Sequence, residues 1–148
     1  MEQVKNIVTD ILKESGVSFT ELSEGTLLGQ ACIVIKTNES KILIGPKGDA
    51  VRALDYLVKR IVEQKKLDPP PFLIDVNDYR TRQVEELENK ARIMAERARS
   101  FEYDVELTPM SAYERLVIHT TLAEAPQIKT ESIGEGRERR VVIKYVSQ

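Results

Sequence analysis

The segment Gly45-Pro46-Lys47-Gly48, here called the glycine loop, constrains the fold of this chain more than any other feature, because helical sequence flanks it on both sides. Residues 39–43 before the loop favour a short helical turn, which the first glycine interrupts. After the loop, apolar residues recur at helical spacing and form one stripe, namely Val51, Leu54, Leu57, Val58, Ile61 and Val62. The pattern predicts two helices joined by a tight turn.

Other patterns complete a small unit over residues 1–78. Residues 2–14 have apolar positions at helical spacing, and Gly16 follows as a C-terminal stop. Residues 17–22 and 28–36 favour two strands, and residues 23–25 between them favour an antiparallel hairpin. Three consecutive prolines, residues 69–71, form a stiff connector before a strand over residues 72–76. The predicted order is α-β-β-α-α-β, which belongs to the α+β class.

The second half, residues 79–148, begins with a long connecting helix. Asp78 is predicted to cap this helix, which extends to residue 101 with Phe101 on its apolar side. Its arginines are mixed with glutamates, which indicates a solvated, ion-paired face without a binding role. Residues 103–107 alternate as a half-buried strand, and Ser111 with Glu114 matches a capping box for a helix over residues 112–123. Residues 128–133 and 139–146 favour two final strands, so a three-stranded sheet is expected.

The apolar side of the helix over residues 112–123 is predicted from helical spacing. Its core stripe is expected to contain Leu116, Val117, Thr120 and Ala123.

Composition excludes several classes of protein. The 148 residues are 41% apolar and 31% charged, which is typical of a soluble globular protein. A single cysteine, Cys32, excludes an internal disulfide framework and favours a reducing cytosol, and with one histidine a zinc site of the usual type is not expected. No cofactor is predicted, and no apolar run is long enough to span a bilayer.

Charge limits the kind of nucleic-acid binding that this chain can support. The formal net charge is −2, with ten basic and twelve acidic residues up to position 78 and twelve of each after it. Neither half has the basic excess of a protein that grips duplex DNA through many phosphates. A nucleic-acid site must therefore be local and use a few well-placed groups.

The glycine loop has the properties of such a site. Glycines let the backbone approach a sugar-phosphate chain, the following helix directs unpaired N–H groups at a phosphate, and Lys47 adds a cation. Flanking aliphatic residues can form a groove floor for unstacked bases. The alternative is an ordinary turn between two helices.

In the α-β-β-α-α-β order, this segment resembles a prokaryotic-type (type II) KH domain, a module that binds single-stranded RNA. Residues 44–58 are similar to those of the bacterial Jag (SpoIIIJ-associated) family. The resemblance implies an RNA-binding site that also uses the residues flanking the loop. The implied contacts are Lys41, Ile44, Gly45, Pro46, Lys47, Gly48 and Arg52. Pro46 stands where the family usually has a basic or polar residue, so weaker binding at the loop is expected.

A second motif lies in the helix over residues 112–123. Arg115 and His119 are four residues apart and share a helix face, where they can offer a bidentate phosphate clamp beside a ring that stacks on a base. The alternative is a surface arginine beside a partly buried, hydrogen-bonded histidine. Residues 109–119 resemble the signature of the R-3-H domain, a single-stranded nucleic-acid binder, although Leu116 stands where a second arginine is common.

Three arginines near the last hairpin extend this second motif. Arg137, Arg139 and Arg140 are predicted to add phosphate contacts beside Arg115, and the alternative is a solvated strand end.

The leading hypothesis is a cytoplasmic, non-enzymatic protein that binds single-stranded RNA or DNA through a KH-like domain (residues 1–78) and an R-3-H-like domain (residues 79–148). The resemblance implies a regulatory role in cell elongation and division and pairing with a smaller KH-only protein or a second copy. It also indicates that the N-terminal domain of many Jag proteins is missing here. Two alternatives stay open: a protein-interaction scaffold, and a phosphoesterase with His119 as general base and Arg115 on the phosphate.

Overall fold

A computed structural model describes residues 1–27 and 29–147. The chain divides into two compact units, Met1–Thr81 and Arg82–Gln148. Each unit has its own hydrophobic core. Independent folding of two domains with a boundary near residue 78 stays a prediction.

The first unit contains its six elements in the predicted order α-β-β-α-α-β. They are α1 (Glu2–Glu14), β1 (Glu21–Leu27), β2 (Gln30–Lys36), α2 (Ser40–Ile44), α3 (Asp49–Gln64) and β3 (Phe72–Val76). The sheet has the strand order β1-β2-β3, with β2 antiparallel to β1 and parallel to β3. A parallel pair needs a long crossover connection, and α2, the glycine loop and α3 provide it.

The core of the first unit lies between the sheet and the helices α1 and α3. Val8 of α1, Val58 of α3 and Ile74 of β3 are fully buried, and each such side chain contributes about 1.5–3 kcal/mol relative to an exposed one. The apolar stripe of α3 is present except for Leu57, which is exposed. Leu57 lies next to Val58 in sequence, and one residue step turns the helix by about 100° away from the core.

The first strand of the hairpin lies later in the sequence than predicted. β1 covers Glu21–Leu27 instead of residues 17–22, and Gly25 pairs with Cys32 inside the ladder instead of forming the turn. The turn contains Gly29, whose φ of 77° is accessible mainly to glycine. Leu28, the predicted start of the second strand, lies outside the described residues. The prediction failed because β1 is largely exposed and therefore lacks the alternation of apolar and polar residues that indicates a strand. Val17 and Phe19, which suggested an earlier strand, pack on the core from the loop that precedes β1.

The connection from β3 to the next helix also differs from the prediction. α4 (Tyr79–Phe101) begins where predicted, but the carboxylate that accepts the N–H of Arg80 is Asp75 Oδ1, at 3.0 Å. Asp78, the predicted cap, has a left-handed φ of 58°, as does Asn77 with 50°. The chain reverses through these two residues, and this reversal brings the Asp75 side chain to the start of α4.

The second unit packs α4 and α5 (Ala112–Leu122) against a three-stranded sheet, as predicted. Its strands are β4 (Val105–Glu106), β5 (Ile128–Ile133) and β6 (Arg140–Tyr145), in the antiparallel order β4-β6-β5. The predicted capping box is present at the start of α5. Small residues of α4 allow close packing against the core: Ala91, Ala95 and Ala98 are buried. No helix in residues 1–27 and 29–147 is long and apolar enough to cross a membrane.

Two predictions about buried faces in this unit are wrong. Of the predicted stripe of α5, only Val117 is buried, whereas Leu116 is 60% exposed and Thr120 and Ala123 face solvent. The buried side chains are Val117, Ile118 and Leu122. Residues 116–118 are all apolar, so helical spacing alone does not determine which face of α5 is turned toward the core. Phe101, at the end of α4, is 70% exposed.

Candidate nucleic-acid interface

The glycine loop forms a 3-10 turn between α2 and α3, in which Gly45 has a conformation restricted to glycine and Gly48 has a left-handed one that favours glycine. Gly45 has φ 70° and ψ 179°, and Gly48 has φ 77°. A Cβ atom on Gly45 would lie 2.9 Å from both Cβ and the backbone nitrogen of Ala50. Lys47 at the tip has φ 54°, a left-handed value that is uncommon for a residue with a side chain. The loop therefore holds a strained, fixed shape.

Gly48 is enclosed by two side chains. A Cβ atom there would lie 2.7 Å from Cε1 of Tyr79 and 3.1 Å from Nη1 of Arg52. A side chain at this position would have to displace the Tyr79 ring and the Arg52 guanidinium, and it would also have to adopt the left-handed φ of 77°.

The predicted cations around the loop differ in whether their charge is neutralised. Lys41 and Lys47 are exposed, and within the described part of the chain neither ammonium group has an ion pair or a hydrogen bond. Arg52 Nη2, in contrast, lies 2.6 Å from Asp49 Oδ1. Ile44 is half-buried, while the neighbouring Ile42, which the sequence analysis did not single out, is exposed. The loop therefore presents two free ammonium groups beside an exposed aliphatic side chain.

In the second unit, His119 is held by two hydroxyl groups of β5. Its Nδ1 lies 2.6 Å from Thr130 Oγ1, and its Nε2 lies 2.8 Å from Ser132 Oγ. Burial lowers the pKa of His119, and the positive charges of Arg115 and Arg139 lower it further. The ring is therefore mainly neutral at pH 7. A partly buried, hydrogen-bonded histidine beside a surface arginine is the alternative interpretation of this motif given by its sequence.

Arg115 and Arg139 bond to backbone carbonyls, and neither has an ion pair with a carboxylate in the part of the chain that the structure describes. Arg115 Nη1 donates to the carbonyl of Met110 and Arg139 Nη1 to that of Gly134, both at 2.8 Å. Arg115 lies about one helical turn before His119 in α5. Met110, whose carbonyl accepts from Arg115, donates its own N–H to the carbonyl of Arg139 at 3.2 Å, which brings the backbone of Arg139 to the start of the same helix. We call Arg115, His119 and Arg139 the arginine surface.

The other two predicted arginines differ from this pair. Arg140 forms an ion pair with Glu106 and donates to the carbonyl of Glu138 at 2.9 Å, so its charge is neutralised. Arg137 is exposed, and its side chain has no ion pair or hydrogen bond to any residue that the structure describes. Of the three arginines near the hairpin, Arg137 and Arg139 are thus available to an anion.

Sequence reasoning missed the residues that fix His119. Thr130 and Ser132 are two apart in β5 and therefore lie on the same face of the strand, which is the signal that could have pointed to them. It also missed Tyr79 beside Gly48, which no local pattern connects to the loop.

Other groups with chemical potential are inert or dispersed. Burial raises the pKa of the Cys32 thiol to about 11, so it stays protonated at neutral pH. Within the described ranges, no three His, Cys, Asp or Glu side chains form a group that could hold a metal ion.

Comparison with known proteins connects this geometry to a family. Residues 85–145 match the R-3-H domain. An RNA-binding protein KhpB from Clostridium symbiosum is 35% identical over 109 residues, which are 74% of this chain and 49% of that protein. The KhpB proteins of Bacillus subtilis (strain 168) and Lactiplantibacillus plantarum are 31% and 29% identical, over 75% and 90% of this chain and 54% and 41% of their own length.

These alignments are longer than either unit alone, since the first covers 109 residues and the larger unit is Met1–Thr81. The chain spans about half the length of the curated relatives it matches. Together with the R-3-H match, the relatives show that the chain belongs to the Jag family of KhpB-type proteins.

Proposed function

We propose that this protein binds single-stranded RNA through the glycine loop and the arginine surface, without catalysing a reaction. The observation that supports this most is the loop itself, where two unpaired lysines stand beside a backbone turn fixed by Gly45 and Gly48. The relatives from Clostridium symbiosum and Bacillus subtilis are named RNA-binding proteins. The single cysteine supports a cytoplasmic location, and the family resemblance supports a role in cell elongation and division.

Charge favours a single strand over a duplex as the ligand. The predicted contacts that keep an unpaired charge are few, namely Lys41, Lys47, Arg115, Arg137 and Arg139. A protein that grips a duplex typically neutralises many phosphates at once, whereas a few cations are suited to a local contact with a single strand. A single strand also offers unstacked bases, for which the exposed Ile42 side chain provides an apolar contact.

The arginine surface contributes phosphate contacts of a more rigid kind. Because carbonyls hold Arg115 and Arg139, these side chains lose little further rotational freedom when a phosphate binds. The neutral His119 ring can still stack on a base without bringing a charge.

A phosphoesterase is the less favoured function, although one contact resembles part of a catalytic site. His119 Nε2 lies 2.8 Å from the Ser132 hydroxyl, as in a serine nucleophile with its base. The other ring nitrogen meets the hydroxyl of Thr130, whereas a triad has a carboxylate there to stabilise the imidazolium. Pairing with a KH-only protein or a second copy is compatible with RNA binding and is a separate proposal.

A titration of the whole chain with labelled RNA tests the proposal. The ligands are a short single-stranded RNA, the same sequence as DNA, and the RNA duplex. We expect tightest binding to single-stranded RNA. The double variant Pro46→Asp/Lys47→Asp should lose about tenfold in affinity, or about 1.4 kcal/mol, because it places two carboxylates where we propose a phosphate.

The matched control is Gln64→Asp/Lys65→Asp, which makes the same charge change at the exposed far end of α3. This control should bind almost as the unaltered chain does. An equal loss in both variants would mean that overall charge, and not the loop, determines binding. Phosphoester turnover that disappears in His119→Ala would instead favour the enzyme.

A further inference from the structure

Tyr79 lies outside the glycine loop in sequence but beside it in space. It is the first residue of α4, and a Cβ atom on Gly48 would lie 2.7 Å from its Cε1 and 3.0 Å from its Oη. The ring edge and the hydroxyl therefore lie directly against the second glycine. The side chain is half-buried, so part of it is accessible to a ligand.

The position of Tyr79 is fixed by the end of the sheet. Asn77 Oδ1 accepts the N–H of Thr37 at 3.1 Å, and Asn77 Nδ2 donates to the carbonyl of Thr37 at 3.0 Å. Asp75 holds the first turn of α4 through the N–H of Arg80. These bonds fix the backbone on both sides of Tyr79, and its side chain packs against the hydrophobic core of the first unit. A side chain packed in this way has less freedom to lose when a ligand binds, which lowers the entropy cost of binding.

Two hydrogen-bond donors converge on Gly48 from different elements. Arg52 is held by Asp49 through Nη2, at 2.6 Å, while Nη1 lies 3.1 Å from the position of a Cβ on Gly48. The hydroxyl of Tyr79 has no hydrogen bond to any residue in the described ranges, so its proton is available to an acceptor. A phosphate oxygen accepts from both kinds of group.

We infer that Tyr79 Oη and Arg52 Nη1 together bind one backbone phosphate of the RNA at Gly48. This inference rests on the proposed function and adds to the loop a binding residue that comes from another part of the chain. Since Tyr79 is uncharged, it contributes a directed hydrogen bond to the phosphate. It releases no counterions from the RNA and therefore does not add to the salt dependence of binding.

The test compares Tyr79→Phe, which removes only the hydroxyl, with the unaltered chain in the same RNA titration. We expect a loss of about three- to tenfold in affinity, the range of one hydrogen bond, with unchanged thermal unfolding. The slope of log K against log salt should not change in Tyr79→Phe. Arg52→Gln should change this slope less than the loss of an unpaired cation would, because Asp49 already pairs with Arg52. Tyr56→Phe is the matched control, because it removes the same hydroxyl from another tyrosine of the first unit. Tyr56 lies on α3, is 67% exposed, and contributes none of the atoms nearest to Gly48.

A second measurement identifies the phosphate. Single phosphates of the RNA are replaced, one at a time, by a neutral methylphosphonate. At one position in the RNA, this replacement should weaken binding of the unaltered chain more than it weakens binding of Tyr79→Phe. Additive losses at every position, or unchanged affinity of Tyr79→Phe while Pro46→Asp/Lys47→Asp binds poorly, would overturn this inference but leave the proposed function in place. No RNA binding by the unaltered chain would overturn both.

Discussion

The two units present positive charge in different ways. In the first unit, the main chain forms the surface: Gly45 and Gly48 fix a turn, and the lysines around it are unpaired. In the second unit, side chains form the surface, and each of the three is held by a hydrogen bond to a carbonyl or a hydroxyl. We therefore expect RNA binding by the first surface to be weakened when a side chain is added to a glycine. Binding by the second surface should be weakened when a side chain is shortened.

Gly45→Ala is the change expected to have the largest effect, and it tests the main-chain character of the loop. The left-handed φ costs a non-glycine residue about 1–3 kcal/mol, and the overlap with Ala50 adds to it. We expect lower stability of the first unit and weaker RNA binding, measured by urea unfolding and by titration. Gly25→Ala is the control, because a Cβ there has no atom within 4 Å and the residue lies in a strand. Equal behaviour of the two variants would contradict a loop defined by its backbone.

Arg115→Ala tests the opposite property, a surface made of side chains. Losing one phosphate contact to a single strand should reduce the slope of log K against log salt by about 0.7. Arg140→Ala should change the slope less, because Glu106 already neutralises that guanidinium. Arg115→Lys should recover the charge but not the planar fork, so recovery should be partial. An unaltered slope in Arg115→Ala would leave RNA binding to the glycine loop alone.

The pH dependence of stability distinguishes the second unit from the first, which has no histidine. The pKa of His119 is below 6.5 in the folded state, because burial and two arginines disfavour the imidazolium. The unfolded chain therefore takes up this proton more readily, and stability should fall as pH decreases through about 6.5. Amide hydrogen exchange in β5 and β6 measures this effect. His119→Gln should weaken the dependence, and an identical pH profile would show that carboxylates cause it.

Asp49→Asn is expected to have the smallest effect of the four changes, and this effect is a tighter binding of RNA. Asp49 neutralises Arg52 at the edge of the glycine loop, and both side chains are exposed. Exposed ion pairs are worth about 0.2–1 kcal/mol, so removing the carboxylate should raise RNA affinity by at most about fivefold. Glu63→Gln is the control, because it breaks the similar exposed pair with Arg60 elsewhere on α3. A loss of affinity in Asp49→Asn would show that the carboxylate is needed to orient Arg52.

Sequence patterns predicted most elements of this fold but few contacts of the candidate sites. The helices α1 and α3 have strong apolar periodicity, and α5 has a capping box, so their limits were predictable to within a few residues. The exposed β1 has neither signal and was misplaced. The motif residues were identified by spacing and family resemblance. Their partners, such as Tyr79 for Gly48 and Ser132 for His119, depend on tertiary packing between distant residues, which spacing does not contain.

The outer strand β1 also has a consequence for self-association. It pairs with β2 alone among the described strands, so its other edge has backbone groups on which a further strand can add. Glu21 and Glu24 lie on this strand, each near a lysine of its own chain. A second copy that added here would have to cover these charged, ion-paired side chains, and charged side chains on an outer strand protect a sheet from edge-to-edge aggregation.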